Sequence, residues 1–277
     1  MQWSGLFGTL CTLIICLSST SLPGQKVLAS QWRRISRSTS VSVGQSAPSS
    51  KYFHESNSCD HCDARYGERP LSNIDRRRGL SALTRAYLST MEDIGVETWL
   101  MHGSLLGWFW NCKIMPWDTD VNVQITEKSM QHLADYYNMS VHHFNLPGSK
   151  MGHDYLLEIN PSWADPSSSD VDNKIDGRWV DMASGFYVDM TTLRWDRQGE
   201  ARGREGAMMC KDGHRYEHKD IFPLRDSLFE GAPAKVPFAY ANVLTEEYSA
   251  SSLTDTIYKQ YRFDADSQEW VPYSAWW

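Results

Sequence analysis

The feature that most constrains this chain is a predicted strand that carries acids on one side only. Residues 102–125 read HGSLLGWFWNCKIMPWDTDVNVQI. Side chains two positions apart on a strand share a face, so this strand has one apolar and one polar face. The apolar positions are Val121, Val123 and Ile125, and the alternating polar positions are Asp118, Asp120, Asn122 and Gln124.

The polar face indicates a metal site. Neighbouring carboxylates repel one another unless a cation lies between them, and Mg2+ and Mn2+ prefer such oxygen ligands and bridge them to phosphate. Asp118 and Asp120 are therefore predicted ligands of Mg2+ or Mn2+. Asp-x-Asp pairs are frequent in proteins, and a solvated strand edge is the alternative interpretation.

The residues upstream of the acids predict a phosphate-binding turn. Gly103 and Ser104 follow the apolar run of residues 96–101 and precede an apolar helix pattern. A strand, a tight turn and a helix N-terminus offer free backbone N–H groups to a phosphate, and the helix dipole favours the negative charge. The order is that of a nucleotide-binding site, with the phosphate cradle first and the metal ligands second.

Six ordered motifs make the chain resemble the LicD family, which includes fukutin-related proteins and fungal members likened to mannosylphosphate-transfer proteins. The motifs are HGSLLGWFW (102–110), PWDTDVNV (116–123), YLLEINP (155–161), FYVDM (186–190), CKDGHRY (210–216) and FPLRDSLFEGAPAKVPFAY (222–240). The likeness runs from about residue 52 to about residue 261. It implies an α+β fold of the nucleotidyltransferase type, a mixed β-sheet with packed helices.

The resemblance implies a metal-dependent transferase that moves a phosphate-linked group from a nucleotide-diphosphate donor to a glycan hydroxyl. Asp118 and Asp120 would hold the metal, Asp189 would complete the shell or accept the hydroxyl proton, and Gly103 and Ser104 would orient the donor phosphate. GDP-mannose is the favoured donor, and CDP-linked choline or ribitol fits the residues equally. An Asp-x-Asp sugar-nucleotide glycosyltransferase, a catalytically silent partner protein and a purely structural secreted protein are the alternatives.

Asp189 is predicted as a site residue because it is an acid set between the apolar Val188 and Met190, where burial is costly without a partner. Residues 179–181 and 186–189 flank a short Gly-bearing connection, which predicts a β-hairpin. If Met182 faces Phe186 across this hairpin, Asp181 lies on the same face as Asp189.

A cation-rich segment supplies the remaining candidates. Residues 210–225 concentrate basic groups among aromatic ones in an otherwise acidic chain, a composition that suits a diphosphate and a base. Lys211, His214 and Arg215 are the predicted substrate-binding residues, and an ordinary charged loop is the alternative. His102 is predicted to be a hydrogen-bonded turn histidine rather than a base.

One position departs from the family pattern. LicD relatives usually carry Asp-x-Asp-x-Asp, whereas this chain has Asn122 at the third position. Two registers of the metal pair stay open, Asp118 with Asp120 or Asp120 with Asn122. In the second register a neutral amide replaces a charged ligand and weakens the binding of a divalent ion. A catalytically silent partner protein therefore stays an alternative.

The length and the net charge of the chain limit its domain organisation and its function. With 277 residues the chain can bury one sizeable core, and a net charge of −7 with a pI near 5.7 argues against a protein that holds long nucleic acid. Residues 1–24 are predicted to be a signal peptide or a short signal-anchor held in the membrane, residues 25–51 a flexible Ser-rich stem, and residues 52–277 the LicD-like domain. These features predict the Golgi or ER lumen, or secretion.

A secretory location bears on two local patterns. The sequon at Asn138 would then be open to glycosylation. Cys59, Cys62, Cys112 and Cys210 lie outside the leader, and disulfides or free thiols are favoured over zinc because the Cys59–Cys62 cluster supplies at most three nearby ligands. Apolar residues at three- and four-residue steps between Ser72 and Ile94 predict an amphipathic helix, and Thr126 is predicted to cap another.

Overall fold

The computed structural model describes residues 31–34, 51–67, 71–145, 152–167 and 170–273. The predicted leader and most of the predicted stem lie outside this part of the chain. Within the stem, Gln31–Arg34 form an edge strand paired with residues 140–143, which departs from a stem without regular structure. No helix among the described residues is long and apolar enough to cross a membrane.

The chain has the α+β fold that the resemblance implied. The large sheet consists of β1 (Gln31–Arg34), β2 (Thr98–Leu100), β3 (Val121–Thr126), β4 (Ser140–Phe144), β5 (His153–Ile159), β6 (Gly177–Asp181), β7 (Tyr187–Trp195), β8 (Ala207–Met209) and β9 (Arg215–Glu217). Its order is β1-β4-β5-β6-β7-β3-β2, and β8 joins β7 to β9. β3 and β7 run parallel, whereas the other pairs of this sheet are antiparallel. The sheet is therefore mixed.

Helices and two small sheets complete the described structure. The helices are α1 (Asn73–Asp93), α2 (His102–Asn111), α3 (Glu127–Tyr136), α4 (Arg197–Ala201), α5 (His218–Ile221) and α6 (Tyr240–Tyr248), followed by a 3-10 turn (Ala250–Leu253). The small sheets pair β10 (Arg225–Phe229) with β11 (Ala232–Val236), and β13 (Tyr261–Asp264) with both β12 (Ile257–Tyr258) and β14 (Glu269–Pro272).

The amphipathic helix α1 forms as the periodicity predicts. The hydroxyl of Ser72 accepts the Asp75 N–H at 3.2 Å, and Gly95 follows the helix with a φ of 70°, a conformation that costs glycine no steric strain. The periodic apolar residues Leu80, Leu83, Tyr87 and Met91 are buried against the sheet. Thr126 caps α3 as predicted, because its hydroxyl accepts the Ser129 N–H at 3.1 Å.

The hairpin of β6 and β7 is present, but its predicted register is wrong. Asp181 rather than Met182 faces Phe186, since the Asp181 N–H donates to the Phe186 carbonyl at 2.8 Å. The connection is thus one residue longer than predicted, and a one-residue slip moves every side chain to the opposite face. Arg178, not Trp179, lies opposite Asp189, so Asp181 and Asp189 occupy opposite faces.

Asp181 is used locally in that turn. Its carboxylate accepts the Ala183 N–H at 2.9 Å and the Ser184 hydroxyl at 2.7 Å. Short polar side chains commonly stabilise turns in this way. Asp181 therefore closes the hairpin and contributes nothing to the face that carries Asp189.

The segment 51–67 is fastened against the start of β7. Cys59 and Cys62 form a disulfide rather than a zinc site, and Cys112 and Cys210 take no part in a disulfide with either. Cys62 forms an isolated bridge with Phe186, and the Asp63 N–H donates to the Gly185 carbonyl at 2.8 Å. These contacts hold residues N-terminal to the first long helix beside the strand that carries Asp189.

Candidate active site at the start of two parallel strands

The predicted acids converge where β3 and β7 begin. Parallel strands start at the same edge of a sheet, and the register places Asn122 of β3 opposite Asp189 of β7. Asp118 and Asp120 immediately precede β3. The strand that follows them, β3, lies between β7 and β2 inside the sheet rather than at its edge.

Asp118 and Asp120 form an electrostatically strained pair. Burial, and then the negative charge of Asp120, raise the pKa of Asp118 from its ordinary value of 3.8 to about 7. The positive groups of Lys259, Arg76 and His61 oppose this shift but do not cancel it. The pair therefore lacks sufficient positive charge, and a divalent cation would supply it.

Asp189 differs because it already has a cationic partner. Its Oδ1 accepts a hydrogen bond from Arg178 Nε at 2.7 Å, and this guanidinium also lies 3.3 Å from Glu55 and 3.7 Å from the centre of the Tyr187 ring. Burial outweighs Arg178 and still raises the pKa of Asp189. Sequence reasoning missed Arg178, whose position depends on the hairpin register.

Asn122 joins the acids as a hydrogen-bond donor. Its side-chain amide donates to Asp120 Oδ2 at 2.9 Å, and its backbone N–H donates to the Ser104 hydroxyl at 2.9 Å. The amide thus stabilises a carboxylate of the acidic pair. This arrangement favours the register in which Asp118 and Asp120 form the metal pair and Asn122 stands beside it.

Gly103 and Ser104 lie in the first turn of α2, next to the acids. A Cβ on Gly103 would lie 3.1 Å from Asp118 Oδ2, so glycine permits the close approach of helix and carboxylate. Ser104 is buried, and its hydroxyl holds the Asn122 backbone. The predicted phosphate cradle therefore fastens the acidic strand to α2, and its contact with a phosphate stays a prediction.

Two of the three predicted basic residues have structural partners. The ammonium of Lys211 is buried and reaches the carbonyls of Ser162 and Asn173 and the carboxylate of Asp176, which uses its three donors. Arg215 pairs with Asp196. Both side chains therefore have protein partners, and their contact with the donor stays a prediction.

The sequence also matches a known protein family, and the match includes the acidic site. Residues 95–239, a little more than half of the chain, match the family model described as LicD/FKTN/FKRP, nucleotidyltransferase domain. The chain belongs to this family. The acidic pair, Asn122 and Asp189 all lie inside the matched region.

Two curated relatives of the LicD chain come from Saccharomyces cerevisiae. Mannosyltransferase regulator 4 is 29% identical over 169 residues, which cover 60% of this chain and 14% of the relative. Mannosyltransferase regulator 14 is 30% identical over 115 residues, which cover 41% of this chain and 12% of the relative. The chain therefore spans less than a sixth of the length of either relative.

The third predicted basic residue, His214, belongs to a polar cluster at the beginning of α2 in this LicD domain. His102 Nδ1 lies 2.6 Å from Glu247 Oε1, and its Nε2 lies 3.6 Å from Asp212 Oδ2. Burial opposes protonation of His102, but Asp212 and Glu247 outweigh it and raise the pKa of His102 to about 9. The centre of the His214 ring is 4.6 Å from that of His102.

The cluster adjoins the acids through two connections. His102 directly precedes Gly103, whose Cα approaches Asp118. Tyr248 follows Glu247 in α6, and burial together with the charges of Glu247, Asp118 and Asp120 raises its pKa well above the ordinary value. His102 is hydrogen bonded, as predicted, whereas no local sequence pattern indicated Glu247, because α6 brings it from far along the chain.

Proposed function

We propose that this LicD domain is a metal-dependent transferase that moves a phosphate-linked group from a nucleotide-diphosphate donor to a glycan hydroxyl. The observation that carries the proposal is the partly buried pair of Asp118 and Asp120, in which burial, and then the charge of Asp120, raise the pKa of Asp118 to about 7. Groups with strongly shifted pKa values cluster at functional sites, and this pair lies within the nucleotidyltransferase match.

The donor set suits Mg2+ or Mn2+, since these ions prefer carboxylate oxygens. Bound by Asp118 and Asp120, the ion would neutralise the phosphates of the donor, as metals do in other phosphoryl transfers. Gly103 and Ser104 would orient the donor phosphate. Asp189, with its raised pKa, would accept the proton of the attacking hydroxyl while Arg178 holds it in place.

The two yeast relatives are named mannosyltransferase regulators, which supports a role in a mannose-containing pathway. GDP-mannose is therefore the first donor to test, followed by CDP-linked choline and ribitol. The Cys59–Cys62 disulfide supports an oxidising compartment. The protein would then work in the Golgi or ER lumen, either cleaved from its predicted leader or anchored by it.

A second function is favoured by specific observations. Arg178 already neutralises Asp189, Asn122 stands where relatives carry a third acid, and both curated relatives are named regulators. A domain with these features would bind a donor nucleotide and regulate another transferase without turnover. The two functions share the acidic site and differ in product formation.

Calorimetric titration of GDP or CDP in the presence of Mn2+ tests the shared site. Asp120→Ala should abolish metal-dependent nucleotide binding while the circular dichroism spectrum stays unchanged, and the exposed Asp93→Asn serves as a matched control. Unchanged affinity in folded Asp120→Ala would overturn the site.

Mass spectrometry of an acceptor glycan then separates the functions: addition of sugar plus phosphate indicates the transferase, and addition of sugar alone indicates a glycosyltransferase. Donor binding without a product indicates the regulator.

A further inference from the structure

The side chains of His102, Asp212 and His214 present one nitrogen or oxygen atom each within 4.8 Å of one another. We propose that they form a second metal site, specific for a transition metal ion such as Zn2+, with Glu247 as its positioning residue. The site goes beyond the proposed Mg2+ or Mn2+ site because its ligands are two imidazoles and a carboxylate instead of carboxylates alone.

Distances in the cluster suit a tetrahedral ion. His102 Nε2 and Asp212 Oδ2 are 3.6 Å apart, which is too long for a hydrogen bond. Zinc binds nitrogen and carboxylate oxygen at about 2.0–2.2 Å, so two tetrahedral ligands lie about 3.4 Å from each other. The observed separation therefore matches one edge of a zinc coordination shell. A fourth position stays free for water or a ligand, as in zinc sites that bind substrates.

Glu247 holds His102 in the orientation that metal binding requires. Its Oε1 lies 2.6 Å from His102 Nδ1, so the Nδ1–H donates to this carboxylate and Nε2 faces Asp212. A bound ion would replace the Nε2 proton and leave the Nδ1–H bond to Glu247 intact. A carboxylate on the far nitrogen of a ligating histidine is the usual outer partner of a zinc ligand. Here it is supplied by helix α6.

His214 contributes a nitrogen that is not engaged in a well-aligned hydrogen bond. Its Nδ1 is buried and lies 3.1 Å from Asp212 Oδ1, but within the described part of the chain it makes no hydrogen bond of acceptable geometry. Buried polar atoms without partners are rare and call for a ligand or another explanation. The second oxygen of Glu247 is likewise buried without a hydrogen-bond partner. A metal ion at the centre of the cluster would give His214 Nδ1 its missing partner.

The backbone fixes the two sides of the cluster in advance. His102 has a φ of 53°, in the left-handed region where non-glycine residues are uncommon. Asp212 Oδ1 accepts the backbone N–H of His214 at 3.0 Å, which closes a tight turn around Gly213 with its φ of 99°. Backbone conformations of this kind persist where the surrounding structure holds them, and they concentrate at ligand sites.

The test is calorimetric titration of the full-length chain with Zn2+ alone, after removal of metals with EDTA. Wild type should bind one ion at the cluster. His214→Ala should weaken that binding by at least 100-fold, and Glu247→Gln by 10- to 100-fold, as expected for an outer partner. His132→Ala alters a histidine of α3 whose ring packs on Tyr136 and should leave the affinity unchanged.

Asp120→Ala separates this proposal from the proposed function. It should abolish Mn2+-dependent nucleotide binding and retain the zinc ion, whereas His214→Ala should lose zinc with the acidic pair intact. Equal zinc affinity of wild type and His214→Ala overturns the second site, and so does a wild type that binds no zinc at micromolar concentration. Because Glu247→Gln conserves shape, it repeats the test if His214→Ala does not fold.

Discussion

The acidic pair should make the metal-free protein less stable than it would be without the charge on Asp118. The folded state raises the pKa of Asp118 from 3.8 to about 7. A raised pKa means that the folded protein favours the protonated acid. The contribution of Asp118 to the free energy of unfolding is therefore fully present below pH 3.8 and is lost as the pH rises through about 7. Asp118→Asn keeps the shape, stays neutral at every pH and escapes this loss.

The size of the effect follows from the shift. A pKa shift of about three units corresponds to roughly 4 kcal/mol, since each unit is worth about 1.36 kcal/mol. Relaxation around the partly exposed carboxylate reduces this figure, and we expect Asp118→Asn to raise the free energy of unfolding by about 2–4 kcal/mol at pH 8. The gain should shrink as the pH falls and vanish near pH 4.

Urea denaturation of wild type and Asp118→Asn in EDTA, at pH 4, 6 and 8, measures the difference. Asp93→Asn controls for the loss of an exposed carboxylate and should change stability by less than about 0.5 kcal/mol. Saturating Mn2+ should stabilise wild type and not Asp118→Asn, because the ion replaces the missing positive charge. A variant no more stable than wild type at pH 8 would refute the strained pair and, with it, the main support for the metal site.

Three further substitutions test the neighbouring assignments. Asn122→Asp removes the amide that donates to Asp120, so it should destabilise the metal-free protein by about 1–3 kcal/mol without improving the affinity for Mn2+. If calorimetry instead shows that the variant binds Mn2+ ten times more tightly, residues 120 and 122 form the metal pair. Lys211→Met breaks a buried ion pair and should cost on the order of 3–5 kcal/mol. Arg215→Met removes a half-exposed guanidinium from Asp196, whose carboxylate still accepts the Gly199 N–H, and should cost less than Lys211→Met. A stable Lys211→Met that fails to bind nucleotide would support the predicted substrate role of Lys211.

The sequence predicted the elements whose signal is local. The alternation along β3, the three- and four-residue steps of α1 and the caps at Ser72 and Thr126 all depend on neighbours within one or two turns. The spacing of the residues supplied the order of cradle and acids, and the resemblance supplied the fold class. These features required no knowledge of which strands pair.

What the sequence could not supply depends on contacts between distant segments. A single additional residue in the hairpin connection moved Asp181 off the site and placed Arg178 beside Asp189. Lys211 looked like a phosphate ligand because its buried partner, Asp176, is 35 positions away in the chain and carries no motif. The basic composition of a segment shows that cations are present and leaves open which carboxylates they meet in the fold.

Some of the charged residues that act on the acidic site lie outside the family match, which covers residues 95–239. Glu55 contacts Arg178, and His61 Nδ1 lies 4.0 Å from Asp120 Oδ2, both from the segment held by the disulfide. On the other side, Lys259 lowers the pKa of Asp118. The flanks therefore set how much positive charge the acids lack, and with it how strongly they would bind a cation. We therefore expect LicD domains with the same acids and different flanks to differ in metal affinity, because these flanking charges lie outside the shared motifs.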